Sequence, residues 1–216
     1  MALQAVDLPT PAEMRSRWAA YAALLAVRGE RWAQGAHATP DGWHYDDGGG
    51  NWVDVVLVGA DRAVLVGHDH EYSETYFREG ATYFGESETD LLGGAPPWWE
   101  PAIASHLERQ RTDGMWIGFV YGFDGRWTRS GYDLADGFTS VGLPFTDDQK
   151  TVDALDDLLA NWFVELRLAL PADIRARVRE IIEPGAEVTA AGLQRILGPA
   201  GAHADIPGAV AAAQRF

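Results

Sequence analysis

An α+β fold is predicted: a mainly antiparallel sheet of about five strands, formed by two hairpins and packed by an N-terminal helix and a C-terminal helical segment. Three observations predict it. Trp52–Val58 and Ala63–Val66 are Val- and Leu-rich runs on either side of the turn sequence Gly59-Ala60-Asp61-Arg62. Met115–Gly122 and Arg126–Ser130 flank Asp124-Gly125, a second hairpin signal. Helical spacing of apolar residues dominates before the first hairpin and after the second. Hairpins, rather than strand–helix–strand units, argue against a doubly wound parallel sheet.

Taken in order, Thr10-Pro11-Ala12-Glu13 reads as a capping box with proline at the first helical position. Met14, Trp18, Tyr21 and Leu25 continue the helix as a core-facing stripe, and Gly29 ends it. Trp43–Tyr45 is a short strand, joined to the first hairpin by the turn Asp46–Asn51 with its three glycines. Apolar residues occupy both faces of Trp52–Val58, which places that hairpin mid-sheet. Asp54 breaks this pattern; a buried carboxylate needs a partner, and Arg62 or Arg126 is expected to supply it. Ala63–His68 is the returning strand.

The segment Tyr72–Gly94 is aromatic and acidic, with helix expected between Ser73 and Phe84. Pro96-Pro97-Trp98-Trp99 opens a helix that turns Ile103 and Leu107 inward. On the second hairpin Gly118 and Gly122 share a face, so a helix or ligand is expected to approach it closely. Thr146-Asp147-Asp148-Gln149 is another capping box, followed by the stripe Val152, Leu155, Leu159, Trp162, Phe163 and Leu166. Shorter helices follow from Pro171, from Thr189 and over Ile206–Arg215. Residues 1–183 are read as an α+β core and 184–216 as a helical appendage packed on it, with Pro184–Glu187 as the boundary and one domain overall.

Composition limits the chemistry. The 216 residues contain no cysteine, which excludes a disulfide framework, a thiol nucleophile and a cysteine-ligated metal. The net charge is −15 and Lys150 is the single lysine. Such a field repels phosphates and anionic lipid, so neither nucleic acid nor membrane is expected as a partner. The apolar run Trp18–Val27 is too short to span a bilayer and lacks a basic flank, so a cytoplasmic protein is expected. No Gly-x-Ser-x-Gly elbow is present.

The densest group of ionisable side chains, His68-Asp69-His70-Glu71, follows the central hairpin. Residues two apart on a strand face one side, which makes His68 and His70 candidate ligands for one divalent metal. Strand pairing brings the Asp46–Asn51 loop beside them. The candidate binding surface is therefore His44, Trp52, His68, Asp69, His70, Glu71 and Tyr72, walled by Trp98 and Trp99. No catalytic residue and no cofactor is assigned.

The function expected is that of a non-enzymatic, acidic protein-binding module of a bacterial cytosol, immunity-like or antitoxin-like, with a basic protein partner. The alternative is a small metal-binding protein or metal-dependent enzyme that uses His68 and His70.

Overall fold

The structure is a computed structural model that describes residues 2–183 and 185–216. From the N-terminus the chain forms β1 (Gln4–Ala5), α1 (Pro11–Ala26), α2 (Glu30–Ala33), β2 (Ala36–Thr39), β3 (Gly42–Asp46), β4 (Trp52–Val58) and β5 (Arg62–His68). Next come α3 (Glu79–Phe84), α4 (Trp99–Ala102), α5 (Ala104–Asp113), β6 (Phe119–Asp124), β7 (Trp127–Arg129) and α6 (Phe138–Val141). Four helices follow: α7 (Asp148–Glu165), α8 (Ile174–Ile182), α9 (Ala190–Leu197) and α10 (Ile206–Ala213). The fold is α+β, and its antiparallel sheet has seven strands in the order β1-β7-β6-β5-β4-β3-β2. Five of them are the expected strands. The additions are a two-residue strand and a four-residue strand at the two ends of the order, too short to carry a periodic signal.

The chain folds as two compact units, one running up to Thr10 and from Thr39 to Leu143, the other comprising Pro11–Ala38 and Pro144–Phe216. The boundary expected at Pro184–Glu187 falls inside the second unit, and Pro184 itself lies outside the described residues. The physical reason is a shared core. Ala20, Ala23 and Leu24 of α1 pack with Leu155 and Leu159 of α7, Val178 and Ile181 of α8, Leu193 and Ile196 of α9, and Ala209 of α10. Residues on both sides of 184 thus bury one apolar cluster, and the tail is no appendage. In the same unit Trp18 stacks on Phe145 with ring centroids 4.2 Å apart.

Helix starts in this unit follow the caps. Asp147 accepts from the Lys150 amide, so α7 begins one residue later than a Thr146 cap would set. Thr189 accepts from the Gly192 amide and starts α9 as expected. Helix α8 begins at Ile174, after Asp173, whose side chain makes no capping bond.

In the sheet unit the central strand is β5, paired with β4 from Trp52↔His68 to Val58↔Arg62 and with β6 from Gly67↔Phe119 to Arg62↔Asp124. Pairing fixes the faces. Trp52, Val64, Val66 and Val120 share one, and there they meet Phe77, Leu91, Trp99, Ile103 and Leu107 in a single apolar cluster. Helices α4 and α5 therefore cover this face.

Gly122 receives the ring of Trp99, and a Cβ there would overlap the indole. The close approach expected at Gly118 and Gly122 is thus real at both: Ser73 and His68 crowd Gly118. The tandem tryptophans diverge, Trp99 into this core and Trp98 to a half-buried position under the Arg62 guanidinium, 5.4 Å from its ring centroid. Gly122→Ala is expected to destabilise the protein by about 1–3 kcal/mol through overpacking. Urea denaturation checks this, and an unchanged midpoint would contradict the packing described.

Candidate functional site

Two polar centres lie on the helix-covered side of the sheet unit. The first is built around Asp54, buried at mid-strand on β4 and facing His44 on β3 through the pair His44↔Asp54. His44 Nδ1 lies 2.5 Å from one carboxylate oxygen of Asp54. Across the face, α5 presents His106 and Arg109, one helical turn apart. His106 Nε2 is 2.8 Å and an Arg109 terminal nitrogen 3.1 Å from the other oxygen. Neither arginine expected from the sequence is the partner; Arg62 pairs with Asp124 instead. Burial pushes the Asp54 carboxyl up, but the hydrogen bonds and charge of His106 and His44 outweigh it and hold the group well below the usual carboxylate range.

Trp52 stacks on His106, centroids 5.9 Å apart, with Arg109 over the same ring. His44 and Trp52, assigned from sequence to the binding surface, belong to this centre. His106 also carries the orienting half of a general-base pair, since Ser105 Oγ lies 3.4 Å from its Nδ1. That distance is longer than the roughly 2.6–3.2 Å of a formed proton-transfer contact. The cluster is a latch between α5 and the sheet.

The second centre lies where β5 ends. His68, Asp69 and His70 line one pocket of about 90 Å³, together with Ser73 and Thr75. Its apolar lining is aromatic: Tyr76, Phe77, Phe84 and Trp116. Asp69 is 1% exposed, and its Oδ1 accepts from the amides of Glu71 (2.9 Å) and Tyr72 (2.7 Å), closing the turn. Asp69 Oδ2 and His68 Nδ1 are buried and have no hydrogen-bond partner among the described residues. Thr75 donates to the Gly118 carbonyl at 2.5 Å, so the Ser73 hydroxyl, 2.9 Å away, donates to Thr75.

The expected juxtaposition with the glycine-rich loop is present. Asn51 Oδ1 accepts from the His70 amide at 3.0 Å, and Asp47 holds the loop through the amides of Gly49 and Asn51. His70 is exposed, as are Glu71 and Tyr72. Trp98 and Trp99 do not wall this rim; Gly122, which Trp99 covers, pairs with Thr128 and Val64, well along the sheet from His68. Among the described residues no group of three or more His, Asp or Glu side chains converges where a metal ion could be held.

The sequence marks Tyr72–Gly94 as aromatic and acidic but assigns neither its rings beyond Tyr72 nor Trp116 to this site. Trp116 precedes β6 rather than pairing within it, and its indole rests against Gly80 of α3. Tyr83 and Phe84 pack on Trp116, with centroids at 4.8 Å and 5.5 Å, yet Tyr83 is 71% and Phe84 48% exposed. Helix α3 begins only at Glu79; before it, Ser73–Phe77 runs along the sheet end with the Thr75 hydroxyl on the Gly118 carbonyl. Arg78, which precedes α3, has a φ of 49°, a strained conformation for a residue with a side chain.

On the opposite face of β6, Asp136 Oδ2 accepts from Tyr121 (2.7 Å) and Tyr132 (2.8 Å). Burial first, and then that carboxylate, push both phenols far up, so they stay protonated donors. The helical unit has a larger cavity of about 480 Å³, where the Arg15 guanidinium is engaged by the Phe216 main-chain oxygen at 2.5 Å. Among the described residues no helix is long and apolar enough to cross a membrane. Comparison with known proteins returned no matching family model, no matching curated protein and no matching solved structure.

Both centres make testable statements about stability. Asp54→Asn leaves two imidazoles and a guanidinium facing a neutral amide, and is expected to cost about 3–5 kcal/mol in urea denaturation at pH 7. His68 is pushed down from 6.5 to about 4 by burial, against the pull of Asp69 and with a small push from His70. Its folded-state value lies below the unfolded one, so the unfolded chain takes up the proton first as pH falls. Stability is then complete above about pH 6.5 and is lost down to about pH 4, by up to about 3 kcal/mol. Asp54 is lowered instead, and its contribution is lost only below its unfolded value of 3.8. His68→Gln is expected to flatten the profile between pH 6.5 and 4 specifically; a slope that survives the substitution would refute the assignment.

Proposed function

We propose that this chain is a non-enzymatic module that binds a basic protein, with the working surface at the His68–Tyr72 turn and α3. The observation that carries the reading is the exposed aromatic group Tyr83 and Phe84 packed on Trp116, beside a pocket with a buried carboxylate. Aromatic anchors at the centre of a patch, with charge around them, are the composition of an interface. Glu71, Glu74, Glu86 and Glu88 are all exposed on the same stretch of chain, and the net charge of −15 adds a long-range field of the same sign. Such a field steers basic partners and speeds encounter more than it tightens the complex. An immunity-like or antitoxin-like neutraliser of a basic protein in a bacterial cytoplasm is the concrete form of this reading.

Pull-down from the native lysate at low and high salt tests it. Retained proteins are expected to be basic as a class and to bind less at high salt. Tyr83→Ser with Phe84→Ser is expected to weaken retention by about 2 kcal/mol or more, roughly thirtyfold, while leaving the fold intact. Retention with no bias toward basic proteins, or unchanged by the double substitution, would remove the reading.

A further inference from the structure

We propose that the pocket at the end of β5 is a receptor for a guanidinium group, the side chain of an arginine on the basic partner. The inference rests on the reading above and specifies what that surface recognises.

The polar side of the pocket supplies acceptors. Asp69 Oδ2 is buried and unpartnered among the described residues, although its sister oxygen is fully used by the Glu71 and Tyr72 amides. His68 Nδ1 is buried and unpartnered in the same way, and both residues line the pocket. Burial keeps the His68 imidazole neutral at pH 7, and with its proton on Nε2 it offers Nδ1 as a lone pair. The Ser73 hydroxyl donates its hydrogen bond to Thr75, which leaves its oxygen lone pairs as a third acceptor. The ligand that suits this set brings several donors, and its positive charge answers the carboxylate.

The other side supplies ring faces. Tyr76, Phe84 and Trp116 line the pocket, and a planar cation can lie against any of them. A guanidinium combines a planar face with donors in a fixed fork, whereas an ammonium is a compact, strongly hydrated point charge. A quaternary ammonium would suit the rings but has no N–H for Asp69. The volume, about 90 Å³, is that of a head group rather than of a whole small-molecule ligand, for which roughly 300–1,000 Å³ is usual. A side chain presented by a partner fits that size.

The test titrates the intact protein with N-acetyl-arginine amide, N-acetyl-lysine amide and N-acetyl-citrulline amide. Binding is followed by the Trp116 indole NMR signal. The arginine probe is expected to saturate that signal and to bind about tenfold or more tighter than citrulline, its neutral counterpart, and than lysine. Asp69→Asn keeps the turn-closing oxygen and is expected to lose about tenfold or more in affinity for arginine. Asp61→Asn, an exposed acid in the turn at the opposite end of β5, is expected to stay within about twofold. Should Asp69→Asn fail to fold by circular dichroism, Phe84→Leu, which lines the pocket and leaves the Trp116 reporter in place, provides the second variant, with the same loss expected.

Citrulline binding as tightly as arginine, lysine binding as tightly as arginine, or Asp69→Asn binding unchanged would each overturn the guanidinium receptor. A basic partner that is retained in pull-down but is not released by arginine amide overturns this inference and leaves the broader reading standing. Arginine-selective, Asp69-dependent binding without any basic partner upholds the pocket and removes the broader reading.

Discussion

The sheet unit is organised around a carboxylate placed where the sequence pattern calls for an apolar side chain. Asp54 sits under α5 at mid-strand, and an isolated charge there would cost several kcal/mol. Three donors converge to remove that cost, one from β3 and two from a single turn of α5. This choice fixes more than the charge. With His106 and Arg109 both bound to one oxygen, α5 can neither slide nor rotate over β4. Its next residue, Gln110, is therefore held in place, and its amide clasps three groups: the Phe77 carbonyl at 3.0 Å, Glu79 at 3.0 Å and the Ile117 amide at 3.0 Å. Phe77 and Ile117 line the pocket, and Glu79 begins α3, which carries Phe84. The aromatic side of the pocket is thus held in position from the buried carboxylate outward.

Glycine shapes the same face by subtraction. The Trp99 indole fills the space that Gly122 leaves, and Gly118 leaves room for Ser73 and His68. The backbone of β5 and β6 stays regular across these positions, with Gly118 donating to Gly67 at 2.8 Å. A sheet with side chains at all of them would hold α4 farther off and push His68 out of its buried position. Local absence of side chains, rather than any bend in the strands, lets the helices seat closely and keeps an imidazole dry.

Much of this was legible in the sequence because it is local. Turn chemistry at Gly59–Arg62 and Asp124-Gly125, the cap at Thr189, and the apolar runs of β4 and β5 each act within a few residues. The Gly118–Gly122 pair announced close approach correctly without naming what approaches. What was not legible depends on contacts between distant segments. His106 is 52 residues from Asp54, and nothing in the sequence spacing favours it over Arg62 or Arg126. Trp98 and Trp99 look alike in sequence, but a helix start sends them to different environments, one into the core and one toward Arg62. Ser73–Phe77 has helical composition, yet the Thr75 hydroxyl bonds the Gly118 carbonyl and the segment stays irregular, a competition that side-chain hydroxyls often win. The grouping of α1 with the C-terminal helices follows from a core assembled across more than a hundred residues.

The two buried aspartates of the sheet unit make an instructive contrast. Asp54 and Asp69 are both nearly inaccessible, and both accept short hydrogen bonds. At Asp54 both oxygens are used, and the charge is answered by imidazole and guanidinium. At Asp69 one oxygen closes a turn while the other is left without a partner, at a cost of about 1–3 kcal/mol for an unpaired buried acceptor. The turn does not require that cost, because an asparagine would offer the Glu71 and Tyr72 amides the same oxygen without the charge. The negative charge is thus surplus to folding. It stands beside a neutral imidazole and three aromatic rings, whereas both oxygens of the Asp54 carboxylate are answered. A charge that the turn does not need, on a residue that shares a pocket with ring faces, is the feature that the proposed guanidinium receptor would use.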